Sequence, residues 1–150
     1  MKILFIAFFL FILSVNKAEC SVKKNCSSIS TDSIPAKVLG NFIDDYGIRY
    51  SITDSLWTQH PGINYHIIKW DTKEQYLLAK NDNNNPGEAN LYTRIDYMWF
   101  ENMKPFLWGF CLIVYDAKTI AEAEIKAKAD RQNAKKGCGG FPFSRMKRVE

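Results

Sequence analysis

The run from Phe106 to Tyr115 is apolar at nearly every position, and it constrains the fold more than any other stretch. A strand with one wet face alternates, whereas a strand apolar on both faces lies inside a core. Other strand-like stretches precede it at short intervals, with no helical pattern between them. Val38 to Ile43 runs into Asp44-Asp45-Tyr46-Gly47, a turn signal. Ile48, Tyr50 and Ile52 alternate with Arg49 and Ser51, and Ser55 to Gln59 surrounds Trp57 and stops at His60-Pro61-Gly62. Tyr65 to Trp70 and Gln75 to Lys80 read as a hairpin through Asp71-Thr72-Lys73, and Leu91 to Phe100 follows a polar loop from Asn81 to Gly87. About seven strands so closely spaced predict antiparallel connections, in a mainly β fold that is a small barrel or sandwich.

The period changes once, at Asp116. Thr119 with Glu122 reads as a capping box, and Glu122–Lys126 and Glu124–Lys128 have ion-pair spacing. Ala117, Ala121, Ile125 and Ala129 make a thin apolar stripe. The expectation is one C-terminal helix over about 118–133, packed on the sheet and stopped by Gly137. The glycines of Gly137-Cys138-Gly139-Gly140 follow that helix, whereas a phosphate loop needs them before one. They are read as a sharp turn that fits the tail against its neighbours.

The N-terminus sets the compartment. Lys2 precedes an apolar run from Ile3 to Val15, and polar Asn16 and Lys17 and small residues at Ala18 and Cys20 follow. This is the layout of a secretory signal peptide over 1–18, with cleavage after 18 or after 20, and the run is too short to span a bilayer. Removing 1–18 takes away Lys2 and Lys17 and no acid, leaving 18 basic residues against 16 acidic ones. That near-neutral balance gives no reason to expect a nucleic-acid partner. The organisation expected is a polar leader over 19–36, a single β-rich domain over 37–146 and a basic tail over 147–150. In an oxidising compartment the four cysteines are disulfide candidates. Cys111 in the apolar strand and Cys138 in the glycine cluster form the favoured pair, leaving Cys20 and Cys26 for a short N-terminal loop. Asn25-Cys26-Ser27 is a glycosylation sequon at Asn25 in a eukaryotic source.

Few residues carry recognisable chemistry. His60 and His66 are the only histidines, too few for a zinc site without carboxylates, and Cys138 has no base or second ligand near it in sequence. Neither a catalytic residue nor a metal or cofactor site is assigned. His66 alternates with Tyr65 and Ile67 and shares a face with Ile68 and Trp70, as a rim histidine would. Asp44, Asp45, Asp54, Asp71 and Asp82 stand at turns. The surplus is aromatic: Trp57, Trp70, Trp99 and Trp108 with many Tyr and Phe, either all core or partly the wall of a ligand cavity. Arg94 and Asp96 face opposite to Ile95 and Tyr97 and are read as a rim pair. Trp57, His66, Trp70, Arg94, Asp96 and Trp99 are therefore the candidate ligand and rim residues.

Several stretches resemble a loose group of small secreted or lipoprotein-like proteins with no assigned activity. They are Asp45-Tyr46-Gly47, Ile52-Thr53-Asp54-Ser55-Leu56-Trp57 and Thr93-Arg94-Ile95-Asp96-Tyr97. Phe110-Cys111, Tyr115-Asp116-Ala117 and the closing Gly137-Cys138-Gly139-Gly140-Phe141-Pro142-Phe143 complete them. The resemblance spans most of residues 38–146 and implies one compact unit with Cys111 and Cys138 paired. More distantly, Gly40-Asn41-Phe42 stands where calycin barrels carry Gly-x-Trp, with phenylalanine in place of tryptophan.

The function expected is that of a secreted, non-enzymatic β-rich domain that binds an extracellular partner or a small ligand. Two alternatives stand beside it. One is a secreted hydrolase with a carboxylate or histidine site. The other is a matrix-associated protein held to an anionic surface through Lys135, Lys136, Arg145, Lys147 and Arg148.

Overall fold

The computed structural model describes residues 33–150. The signal peptide over 1–18, Cys20, Cys26, Asn25 and most of the leader over 19–36 lie outside the described residues. The strands are β1 (Gly40–Asp44), β2 (Arg49–Ile52), β3 (Leu56–Gln59), β4 (Ile63–Asp71), β5 (Tyr76–Asn81), β6 (Tyr92–Trp99), β7 (Trp108–Ala117) and β8 (Ser144–Arg148), and one helix, α1 (Ile120–Ile125), lies between β7 and β8. Each strand pairs antiparallel with the next, and β8 pairs back on β1. The mainly β fold is thus a closed barrel, and closure removes the sheet edges on which other chains could pair.

The alternation of β1 to β7 directs one set of side chains inward. Phe42, Tyr50, Ile52, Trp57, Tyr65, Leu77, Ala79, Ile95, Tyr97, Trp108 and Phe110 belong to the barrel core, closed below by Val38. One device breaks the alternation. A register shift between Ile67 and Lys69 puts an extra residue into β4. The expected shared face of His66, Ile68 and Trp70 is thereby split: Trp70 packs against the core while His66 and Ile68 are exposed.

The eighth strand runs from the end of the expected domain into the first two residues, Lys147 and Arg148, of the basic tail expected over 147–150. In Ser144–Arg148 Met146 is buried while Arg145, Lys147 and Arg148 are exposed, so hydrophobic patterning gives it no signal. Its pairing is set by β7 and β1, which meet it at Trp108↔Met146 and Asp44↔Met146.

The helix is shorter than the expected 118–133. Its start is as expected: Thr119 is extended, and its hydroxyl accepts from Glu122 N at 3.1 Å. Glu122 reaches back to Lys118 N at 2.9 Å. Its end is set by the wall beneath. Arg94 Nη1 donates to Glu124 O at 2.6 Å, Ala129 N donates to Asp96 Oδ2 at 2.9 Å, and Arg131 donates to the carbonyls of Tyr97 and Gln75. These groups take the chain out of helical geometry after Lys126. Glu124 turns away from Lys128 and accepts instead from Lys69 at 2.6 Å and from Tyr76 at 2.5 Å.

Beyond the helix the chain covers the outer face of β6 and β7. Ala129, Phe143 and Cys111 are buried there, with Met98, Phe100 and Cys138 packed against them. Cys111 and Cys138 form a disulfide with Cα atoms 5.4 Å apart. Cys138 and Phe141 exchange backbone hydrogen bonds of 3.0 and 2.9 Å around Gly139 and Gly140, both at positive φ. Positive φ at both central residues is the demand of the tight hairpin turn that glycine meets without strain. The glycine cluster is therefore the turn of a clasp whose side chains join the outer core.

Candidate functional site

The barrel interior is largely filled. Phe42 meets Trp108 at 5.1 Å, Trp57 meets Phe110 at 5.1 Å, and Tyr50 meets Phe110 at 5.3 Å, all edge to face. Tyr97 lies 6.2 Å from Trp70 and 5.7 Å from Trp99 in the same manner. Such pairs interlock where stacked rings would leave gaps. Trp57, a candidate ligand residue, is thus a central core residue, 2% exposed. Trp70 and Trp99 pack against that core from a half-buried position, and Trp70 Nε1 donates to Asp54 O at 2.8 Å. Burial pushes the Tyr97 hydroxyl up to about 12, so it is neutral at physiological pH.

Arg94 and Asp96 pair as expected, at 2.6 Å, but on a covered wall: they are 1% and 0% exposed. The alternation correctly sends them outward, and α1 with the segment after it then closes over them. The guanidinium stacks 3.9 Å above the Tyr76 ring, and Asp96 also receives Arg131 at 3.2 Å. They fasten the C-terminal segment to the wall and form no rim.

His66 is exposed, and its Nε2 lies 2.7 Å from Asp82 Oδ2. That contact, followed by the Asn84 amide, holds the Asp82 carboxyl below its usual range. His60 lies 2.9 Å from Ser51 Oγ. Ser51 Oγ also lies 2.9 Å from Asn41 Oδ1, so the hydroxyl is shared between two exposed polar neighbours. Asp44 is buried and spent on its own turn: it accepts from Tyr46 N, Ile48 N and the Tyr50 hydroxyl. Burial, reinforced by Asp44, pushes the Tyr50 phenol well above its ordinary value. Asp45 is paired with Arg145 at 2.9 Å. Among the described residues no group of three His, Cys, Asp or Glu is placed to hold a metal ion.

One of the concavities that open on the core lies at the barrel mouth. A pocket of about 270 Å³ is lined by Ile63 and Tyr65 of β4, Leu112 of β7, Asn81 at the end of β5, Asn85 to Glu88 of the following loop, and Tyr115. Ile63, Tyr65 and Leu112 also contribute to the barrel core, so the pocket floor is the top of that core. Its lip is a firmly held loop. Asn85 donates to Asn64 O at 2.8 Å and accepts from Asn64 N at 2.9 Å. Asn81 donates to Glu88 O and Tyr115 O and accepts from Thr93. The His66–Asp82 contact ties the loop's first residue to the outer face of β4. Burial and then the Glu88 charge push the Tyr65 phenol up, which keeps it a neutral donor facing the pocket. The sequence places none of Ile63, Tyr65, Asn81, Asn85, Glu88 and Leu112 in a site, because the asparagine run reads as loop composition. No protein-family model, curated protein or solved structure matches the chain.

Proposed function

We propose that this chain is a secreted, non-enzymatic barrel that binds a small, mainly apolar ligand at its mouth. The observation that carries the reading is the mouth pocket: an apolar floor of Ile63, Tyr65 and Leu112 beneath a lip of buried, hydrogen-bonded asparagines. Pockets of this kind, an apolar floor with a few fixed polar groups, are the usual form of small-ligand sites. Barrels of eight strands have room for one small ligand at most. Here the packed aromatics take up the lower barrel and leave a seat for a ring-sized molecule at the top. Placement outside the cell rests on the signal-like N-terminus and on the Cys111–Cys138 disulfide. No helix among the described residues is long and apolar enough to cross a membrane.

The test is methyl NMR of the disulfide-bonded protein against a library of small apolar and aromatic compounds. Ligands of the mouth shift the methyl signals of Ile63 and Leu112 with saturable dependence on concentration. A library whose binders leave both methyls unmoved contradicts the reading.

A further inference from the structure

A second surface lies away from the mouth and has a different chemistry. The connection between β6 and β7, residues 100–107, forms a ridge, closed at its base by Phe100 N to Leu107 O and Phe106 N to Met103 O, both 2.9 Å. Its Met103 and Leu107 side chains are 37% and 48% exposed. An apolar groove flanks it on each side. One, of about 270 Å³, runs from Pro105 and Leu107 to Phe42 and Met146. The other, of about 390 Å³, runs from Phe100 and Met103 to Pro142 and Phe143, with Tyr46 at its edge, 68% exposed. Three large exposed apolar side chains thus share one patch.

The charges around it are one-sided. Lys37, Lys147 and Arg148 line the first groove and no acid does. The second is lined by Lys135, Arg145 and Asp45, and Asp45 is spent on Arg145. Arg148 is engaged in the fold: it stacks on Phe42 at 4.8 Å and donates to Leu39 O at 2.8 Å. Lys37, Lys135 and Lys147 carry no ion pair among the described residues, and exposed Lys104 stands on the ridge itself. Glu101 is the ridge's one acid and lines neither groove. An apolar ridge between lysines complements a surface that is anionic outside and apolar beneath.

We propose that this ridge docks on an anionic lipid membrane, with Met103 and Leu107 entering the acyl boundary and Lys37, Lys135 and Lys147 at the headgroups. An anionic polysaccharide satisfies the lysines but leaves Met103 and Leu107 in water. The surface is separate from the mouth pocket, so the two readings stand or fall independently.

The experiment is co-sedimentation of the full, disulfide-bonded protein with vesicles of phosphatidylcholine alone or mixed with phosphatidylserine. Binding is expected only to the mixed vesicles. It should weaken about fivefold in Lys147→Gln, and fall to background in the double variant Met103→Ser, Leu107→Ser with its near-ultraviolet circular dichroism unchanged. As a second measure, brominated acyl chains quench a Leu107→Trp variant when the ridge inserts. Failure to bind the mixed vesicles, equal binding to both vesicle types, or retention on heparin without vesicle binding overturns the proposal. So does an unquenched Leu107→Trp variant, or binding that survives the loss of both ridge side chains.

Discussion

Replacing Asp96 with alanine removes the carboxylate from a place where nothing else can take its role. Arg94 and Asp96 are 1% and 0% exposed, and their contact is 2.6 Å. Asp96 also accepts from Ala129 N at 2.9 Å and faces Arg131 at 3.2 Å. The substitution therefore strands a buried guanidinium and a buried amide together. Breaking a buried pair from one side costs about 3–5 kcal/mol. For a domain of this size that corresponds to a fall in Tm of roughly 10–20 °C. Urea unfolding followed by tryptophan fluorescence reads the loss, with calorimetry as a check. The double variant Arg94→Met, Asp96→Leu removes both buried charges; Ala129 N loses its acceptor, Glu124 O its donor and Arg131 its carboxylate, and each unpaired buried backbone group costs about 1–3 kcal/mol. It should be more stable than Asp96→Ala alone. An Asp96→Ala protein within about 1 kcal/mol of wild type refutes the reasoning, since such a loss is typical of solvent-exposed pairs.

Removing the disulfide as Cys111→Ala, Cys138→Ala should cost about 3.5 kcal/mol by the chain-entropy argument for a separation of 27 residues, read by the same urea titration; an unchanged midpoint contradicts a clasp role. A Cβ at Gly137 would lie 1.9 Å from Asp130 O and 2.6 Å from Asn133 O, both backbone atoms, so Gly137→Ala should destabilise by about 1–3 kcal/mol, whereas Gly87→Ala, in open space, should not. The Lys69 ammonium and then the Tyr76 hydroxyl hold the Glu124 carboxyl below its ordinary 4.5. A carboxyl lowered on folding contributes stability above that value and loses it as pH falls through its folded pKa. Amides of α1 should accordingly exchange faster as pH drops below about 4.5, relative to the barrel strands, and Glu124→Gln should abolish the difference. An equal pH response in Glu124→Gln contradicts the assignment.

Strands β1 to β7 were legible because each alternates or is continuously apolar, and the polar turns between them are short. The eighth was not, because a strand of five residues with one buried apolar side chain is indistinguishable by pattern from a charged tail. Its partners, not its own sequence, make it a strand. The helix shows the converse. Its cap at Thr119 is local chemistry and could be read directly, whereas its end is imposed by Arg94, Asp96 and Arg131, which are brought to it only by the closed barrel. The same distance in sequence hid the site. Ile63, Tyr65, Asn81 and Leu112 come from three strands, and alternation alone does not say which inward residues lie above the packed aromatics. It also sent Arg94 and Asp96 to the outer face without revealing that α1 would cover them. The Cys111–Cys138 pairing was legible because one cysteine sat in the continuously apolar strand and the other in the glycine turn after the helix.

The proposed ligand seat is the mouth pocket above the packed aromatics. Leu112→Trp fills that seat with a ring while leaving the packed rings below it in place. The decisive measurement is the affinity of the tightest mouth ligand from the methyl screen for wild type and for this variant, with near-ultraviolet circular dichroism confirming the fold. Binding to Leu112→Trp should fall at least about tenfold, as expected when a well-filled apolar contact worth about 1.4 kcal/mol or more is lost. Unchanged affinity in a folded Leu112→Trp protein would contradict it.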